Sequence, residues 1–298
     1  MRHEDWARED SLRGPSGSGS RVGNSAFPSV DWWISSRCNL ACDFCYGPEP
    51  GNDPGWLRDD ILAAIRASSA QAVTFCGGEP LLVRDVGKYA RQLRDAGKVT
   101  VLNTNGSLLR RRVEQGLDFA FDIVGLSLDG SSAEVHRTMR GANADFDEVI
   151  RAASFVRERH RTSLKMATVV SSANRDDLPS LSALIRSLQP NVWRLYQYSA
   201  RGPVNVGQDR HALSVSDFTS LVSEAARLAA PVPTSPSLES ETAGCLIIDP
   251  QGNVLQPVSD GYKRLGNCTE QAIDQIWGQA AFSPTVIHNK RWLSELPL

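Results

Sequence analysis

A chain of 298 residues, 41% hydrophobic and 22% charged, can bury roughly three quarters of its unfolded surface, which excludes a largely disordered protein. Thirty-two Lys and Arg against 34 Asp and Glu leave a net charge of -2 without a basic stripe, which argues against a nucleic-acid partner. Residues 1–10 are charged and lack the apolar run of a signal peptide, and no stretch of 18 apolar residues occurs. No membrane partner and a cytoplasmic location are therefore expected.

Residues 11–29 are rich in Gly, Ser and Pro, so 1–29 reads as a flexible N-terminal arm. From residue 30 onward, short β-type runs alternate with helical periods, the pattern of βα units on a parallel sheet. Strands are predicted over 30–35, 72–76, 99–103, 123–128, 163–170 and 192–198. Leu57, Ile61, Leu62 and Ile65 share one face of a helix over 57–67. Val86, Tyr89, Ala90 and Leu93 do the same over 83–96, with Gly97 at the favoured C-terminal position. Helices are also predicted over 145–158 and 178–188. Past 198 the rhythm changes to a Gly/Pro loop over 200–210, a helix over 214–229 and a proline-punctuated linker over 231–237. Two runs, 245–249 and 253–258, then flank a turn at 250–252, and 272–281 reads as a helix.

Six cysteines do not make a disulfide scaffold in a chain of this size. Their spacing is the stronger signal. Cys38, Cys42 and Cys45 crowd into a loop after the first strand, in the run RCNLACDFCY over 37–46. Clustered thiolates without a histidine favour an iron-sulfur centre over zinc, and three ligands leave one metal position open for a small molecule. The alternatives are a structural zinc knuckle that borrows a distant Cys or His, and chance clustering of buried thiols.

The run CNLACDFC resembles the CxxxCxΦC signature of the radical S-adenosylmethionine (SAM) enzymes, and CGGEP over 76–80 resembles that family's GGEP motif. The resemblance covers about 30–198. It implies an α/β fold, a partial (β/α)6 barrel, with one 4Fe-4S cluster held by Cys38, Cys42 and Cys45 and SAM as the second cofactor. It also implies that Gly77, Gly78 and Glu79 hold the methionine end of SAM, that Thr104 and Ser127 contact it, and that Tyr46 touches the adenine. Two glycines would let backbone approach a ligand, Glu79 can accept from an ammonium group, and Arg140 can pair with a carboxylate. An electron donor such as flavodoxin or ferredoxin is the implied protein partner.

The extension over 199–298 is read as a cap on the active site, too small for an independent domain. Cys245 and Cys268 are too few for an auxiliary cluster, which needs about four ligands. The runs SLKMATVVSSANRDDL, VWRLYQY and GCLIIDPQGNV follow one another as in the viperin subgroup of the same superfamily, where a tyrosine stands at the position of Cys245. This suggests that Cys245 handles hydrogen atoms. The chain departs from that subgroup at Ala72, where a basic residue is expected, whereas Lys165 falls at a matching basic position. Lys165, Gln197 and Arg201 are the predicted substrate contacts, near strand ends or the loop beyond. The reaction implied is hydrogen abstraction from a polar small molecule by a 5'-deoxyadenosyl radical. Epimerisation of a sugar or nucleoside in antibiotic biosynthesis, with Cys245 as hydrogen-atom donor, is the expected outcome. Nucleotide dehydration and peptide modification are the alternatives, the short arm leaving no room for a leader-peptide domain. Of the tryptophan pair, Trp32 and Trp33 are expected on opposite faces of the first strand.

Overall fold

Strict alternation in the first strand sorts its side chains into two environments. In the computed structural model, which describes residues 29–51, 53–205, 208–239, 246–258 and 261–279, Val30, Trp32 and Ile34 enter the main core, whereas Trp33 packs with Cys76 and Ile247 on the other face. The two tryptophans thus part as expected. The same two-residue period runs through β1 (Ser29–Ser35), β2 (Ala72–Gly77), β3 (Val99–Thr104), β4 (Ile123–Ser127), β5 (Ser163–Val170) and β6 (Val192–Gln197). Val73, Phe75, Leu102, Val124, Leu126, Leu164, Met166, Trp193 and Leu195 join the helix-facing core.

The helices supply the matching face: α1 (Arg58–Ala67), α2 (Val86–Asp95), α3 (Leu109–Glu114), α4 (Ala133–Arg140), α5 (Phe146–Arg157), α6 (Leu178–Leu188) and α7 (Val215–Ala229). Ile61, Leu62, Ile65, Val86, Ala90 and Leu93 are all buried in that core, so the periodicity read from the sequence is the packing face. Ser132, Asp145 and Ser214 cap α4, α5 and α7 by accepting from Val135 N, Glu148 N and Asp217 N, each worth about 1 kcal/mol. The short α3 and α4 were not marked by the sequence pattern.

The strands form one sheet in the order β10-β9-β8-β1-β2-β3-β4-β5-β6-β7, with β1 to β6 parallel and in chain order, an unclosed partial barrel. The extension adds to both flanks of it. The stretch read as a linker contains β7 (Thr234–Ser237), which pairs in parallel with β6. On the opposite side, β8 (Leu246–Ile248) runs parallel to β1, with Leu246 opposite Val30. Beyond β8, β9 (Asn253–Val258) and β10 (Gly261–Asn267) continue antiparallel before α8 (Ile273–Gly278). The β8-β9 turn matches the expected hairpin, with Gly252 at φ 81° as such a turn requires. Among the described residues no helix is long and apolar enough to cross a membrane.

Candidate active site

The cysteine loop leaves the C-terminal end of β1 and is pinned at once to the loop after β2. Gly78 N donates to Ser35 O and Glu79 N to Arg37 O, both at 2.8 Å. A Cβ on Gly78 would stand 2.1 Å from Arg37 O. One on Gly77, at φ 108°, would stand 2.7 Å from Ser35 O. Close approach to a ligand was the expected reason for these glycines. Instead the space beside them is filled by the backbone of residues 35–37, and their first role is to bring β2 against the cysteine loop.

Cys38 is exposed, Cys42 and Cys45 half-buried. Cys38 Sγ accepts from Leu40 N and Cys45 Sγ from Gly47 N, both at 3.4 Å, while Cys42 Sγ donates to Arg140 O at 3.5 Å. Burial raises the Cys38 thiol and pushes Cys42 up to about 11; negative charge at Cys45 adds to both, against the opposing pull of Arg140. Thiols crowded together at a partly buried site are relieved by a shared cationic centre, so the donor set suits a soft, multi-iron group. Among the described residues no three His, Cys, Asp or Glu side chains close around a single point, so the trio is not a preorganised one-ion cage.

Glu79 is 1% exposed and joins the ends of two strands. Its Oε1 accepts from Thr104 Oγ1 at 2.7 Å and Leu81 N at 3.0 Å, and its Oε2 from Asn105 N at 2.9 Å. Burial raises its pKa and these three donors pull it back. Thr104, expected to contact SAM, gives its single proton to Glu79 and accepts from Gly106 N, so its side chain is a strut of the site. Ser127 remains half-buried at the concave end of β4. Tyr46 is 49% exposed beside the loop, its ring 6.5 Å from Trp33.

Arg140 finds its carboxylate within the chain. Its Nε donates to the fully buried Asp129, and its guanidinium lies 5.4 Å from the Phe44 ring centre. Among the described residues its two terminal nitrogens make no hydrogen bond. Asp129 therefore aims a fork that retains donors for a second carboxylate.

The concave face carries a polar band. Lys165 is buried and donates to Asn103 Oδ1 at 2.6 Å, passing over Gly125, which pairs in register with both residues. Arg194 donates to Ser235 Oγ at 2.5 Å and lies 5.2 Å from the Tyr196 ring centre. Burial would raise the Tyr196 phenol, but Lys165 and Arg194 bring it below its ordinary value. Asp31 shares the phase of Trp33 on this face, and Val99, Val101, Ile123 and Val192 form an apolar cluster at the start of the strands. Arg194, Tyr196 and Gly125 were not singled out from the sequence, although the phase of β6 would have found the first two.

The other predicted substrate contacts fare differently. Gln197 follows the helix-facing phase of β6. Its amide donates to Leu213 O at 3.0 Å and accepts from Glu239 N at 3.1 Å, so it braces two loops and does not face the band. Arg201 donates to Glu239 O at 2.8 Å. Cys245 lies outside the described residues.

Residues 34–185, just over half of the chain, match the Radical SAM superfamily model. The pre-heme d1 synthase of Dinoroseobacter shibae is 30% identical over 61% of this chain and 46% of its own length. The chain spans about half the length of the first curated relatives it matches. An S-adenosylmethionine-dependent nucleotide dehydratase from Selenomonas ruminantium is 23% identical over 85% of this chain and 94% of its own. Two solved structures share the fold. Streptococcus suis SuiB bound to S-adenosylmethionine has a TM-score of 0.66 at 16% identity and covers 89% of this chain and 68% of its own. The anSMEcpe enzyme with bound AdoMet has a TM-score of 0.62 at 18% identity, covering 87% and 78%. One 4Fe-4S cluster and SAM are the cofactors of this fold and signature. The cysteine loop, the strand order and the family match together make this chain a member of the radical SAM enzyme superfamily.

Proposed function

We propose that Cys38, Cys42 and Cys45 hold three irons of the cluster, and that the enzyme inverts one carbon of a polyhydroxylated small molecule, a sugar or nucleoside intermediate, on the concave face. When bound, the cluster and SAM supply a 5'-deoxyadenosyl radical able to remove hydrogen from an unactivated C–H bond. Arg140 orients the methionine carboxylate with the nitrogens that Asp129 leaves over, Ser127 contributes a hydroxyl, and Tyr46 shields the adenine. Gly77, Gly78 and Glu79 shape the wall beside the methionine end.

The observation that carries the substrate class is the mixed-charge band of Asp31, Asn103, Lys165, Arg194 and Tyr196. Hydrogen-bonding groups of both signs suit hydroxyl-rich ligands better than a triphosphate. Lys165 is already bonded to Asn103, and Ala72 supplies no cation where the viperin subgroup has one. Cys245 gives a hydrogen atom from sulfur to the substrate carbon, on the face opposite to abstraction. The C–H bond formed is stronger than the S–H bond broken, and an electron from a flavodoxin- or ferredoxin-class donor with a proton returns the sulfur to a thiol.

Running the reaction in deuterated water tests this reading. Solvent deuterium at one inverted carbon is expected, and Cys245→Ala should keep 5'-deoxyadenosine formation while losing inversion. Undiminished inversion in that variant, or a product without deuterium, would sink it. Nucleotide dehydration is the second reading, favoured by the 94% coverage of the Selenomonas relative. Acceleration of 5'-deoxyadenosine release by a nucleoside triphosphate would select it.

A further inference from the structure

The backbone carbonyls of Phe44 and Tyr46, the residues on either side of Cys45, are both held by side chains from the C-terminal extension. Phe44 O accepts from Asn205 Nδ2 at 2.8 Å, and Tyr46 O accepts from the Tyr262 hydroxyl at 2.7 Å. Asn205 is fully buried and bridges further: the same nitrogen donates to Ser199 O at 2.8 Å, and its Oδ1 accepts from Gly202 N at 2.7 Å. The extension comes so near that a Cβ on Gly202 would lie 2.4 Å from Tyr46 Cα and 2.7 Å from Cys45 O. Arg210 pairs with Asp43 in the same segment, and His211 Nε2 lies 3.3 Å from that carboxylate.

The Cys38 end of the loop rests on different elements. Asn39 Oδ1 accepts from Asn105 Nδ2 and Asn39 Nδ2 donates to Ser107 Oγ, both at 2.9 Å, and Cys42 reaches Arg140 O. The barrel core therefore supports Cys38 and Cys42, while the extension supports Cys45. Anchoring the Phe44–Cys45 peptide and the Tyr46 carbonyl leaves only the torsions of residues 45 and 46 free between two fixed points, which narrows the directions open to Cys45 Sγ. Groups behind a metal ligand act in this way, and their loss typically costs about 10- to 100-fold in metal affinity.

We propose that Asn205 and Tyr262 are positioning residues for Cys45, and that the extension governs how firmly the third thiolate grips the cluster. This rests on the reading that the cysteine trio ligates the cluster. The full-length chain with Tyr262→Phe, which keeps the ring 5.1 Å from Trp33, and separately with Asn205→Ser, provides the test. In apo-protein, alkylation mapped by mass spectrometry should rise about fivefold at Cys45 relative to Cys38, the factor carried by one typical hydrogen bond. In reconstituted protein, a chelator should remove iron about 10-fold faster than from wild type, with a changed electron paramagnetic resonance signal of the reduced cluster. Equal alkylation ratios and equal iron loss in both variants would overturn the proposal, as would a uniform rise at all three cysteines. Full iron retention by Cys45→Ala would instead refute ligation by the trio, a failure that the apo-protein alkylation ratio tells apart from loss of positioning.

Discussion

Lys165 reaches Asn103 across β4, a 2.6 Å contact through the space that Gly125 leaves empty. A Cβ there would lie 2.4 Å from Lys165 Cε and 2.5 Å from Asn103 Oδ1. Gly125→Ala should therefore lower stability by about 1–3 kcal/mol, the usual cost of overpacking, and raise the substrate KM without altering SAM affinity. Thermal unfolding and SAM titration check this, and an unchanged melting curve with an unchanged KM would refute the role given to the gap.

Gly78 admits even less. The atom a side chain would strike is the Arg37 carbonyl oxygen at 2.1 Å, with the carbonyl carbon at 2.6 Å, and backbone cannot swing aside as a lysine tip can. Gly78→Ala should cost about 3 kcal/mol or more and lower iron content together with stability, because the same movement parts the cysteine loop from β2. Iron analysis alongside calorimetry reads both. A variant with wild-type stability would show that the loop is not braced there.

Arg140→Gln should weaken SAM binding about 10- to 100-fold, the range expected for a lost charge-assisted hydrogen bond. Because this change also strands the buried Asp129, the double variant Asp129→Asn/Arg140→Gln is the informative partner. If isothermal titration shows SAM affinity restored in the double variant, the fork serves Asp129 and not the cofactor.

His136 gives the chain a pH response on the acid side. It is buried, its Nδ1 accepts from Asp129 N at 3.3 Å, and burial lowers its pKa from 6.5 to about 4. Folding therefore favours the neutral ring, while the unfolded chain takes up a proton as pH falls below 6.5. Stability from this group is complete above pH 6.5 and declines by up to about 3 kcal/mol by pH 4. Denaturant midpoints across that window should fall less steeply in His136→Gln, and parallel profiles would contradict the assignment.

The six-strand core and the cysteine loop were legible because each is local. Short β-type runs between helical periods mark β1 to β6, and the spacing of Cys38, Cys42 and Cys45 points to their chemistry once it is joined to the CGGEP run over 76–80. What escaped the sequence depends on register or on distant partners. Asn103, Gly125 and Lys165 form one row only because three strands align, and Arg140 meets Asp129 only when α4 folds back on the end of β4. Gln197 lies near a strand end as expected, but the phase of β6 turns it away from the concave face. Pro236 made β7 read as a linker, since proline interrupts a ladder; as the terminal strand, β7 tolerates it. Nothing local to Phe44 or Tyr46 foretells Asn205 and Tyr262, more than 150 residues away.

Among the described residues the barrel does not close, and each of its two flanks is blunted by its own chemistry. On β7, exposed Pro236 has no N–H to offer an incoming strand, while β10 bears the exposed cations Lys263 and Arg264 beside an irregularity in its pairing. Such borders discourage another polypeptide from zipping on, so the extension that lengthens the sheet also seals it against runaway self-association.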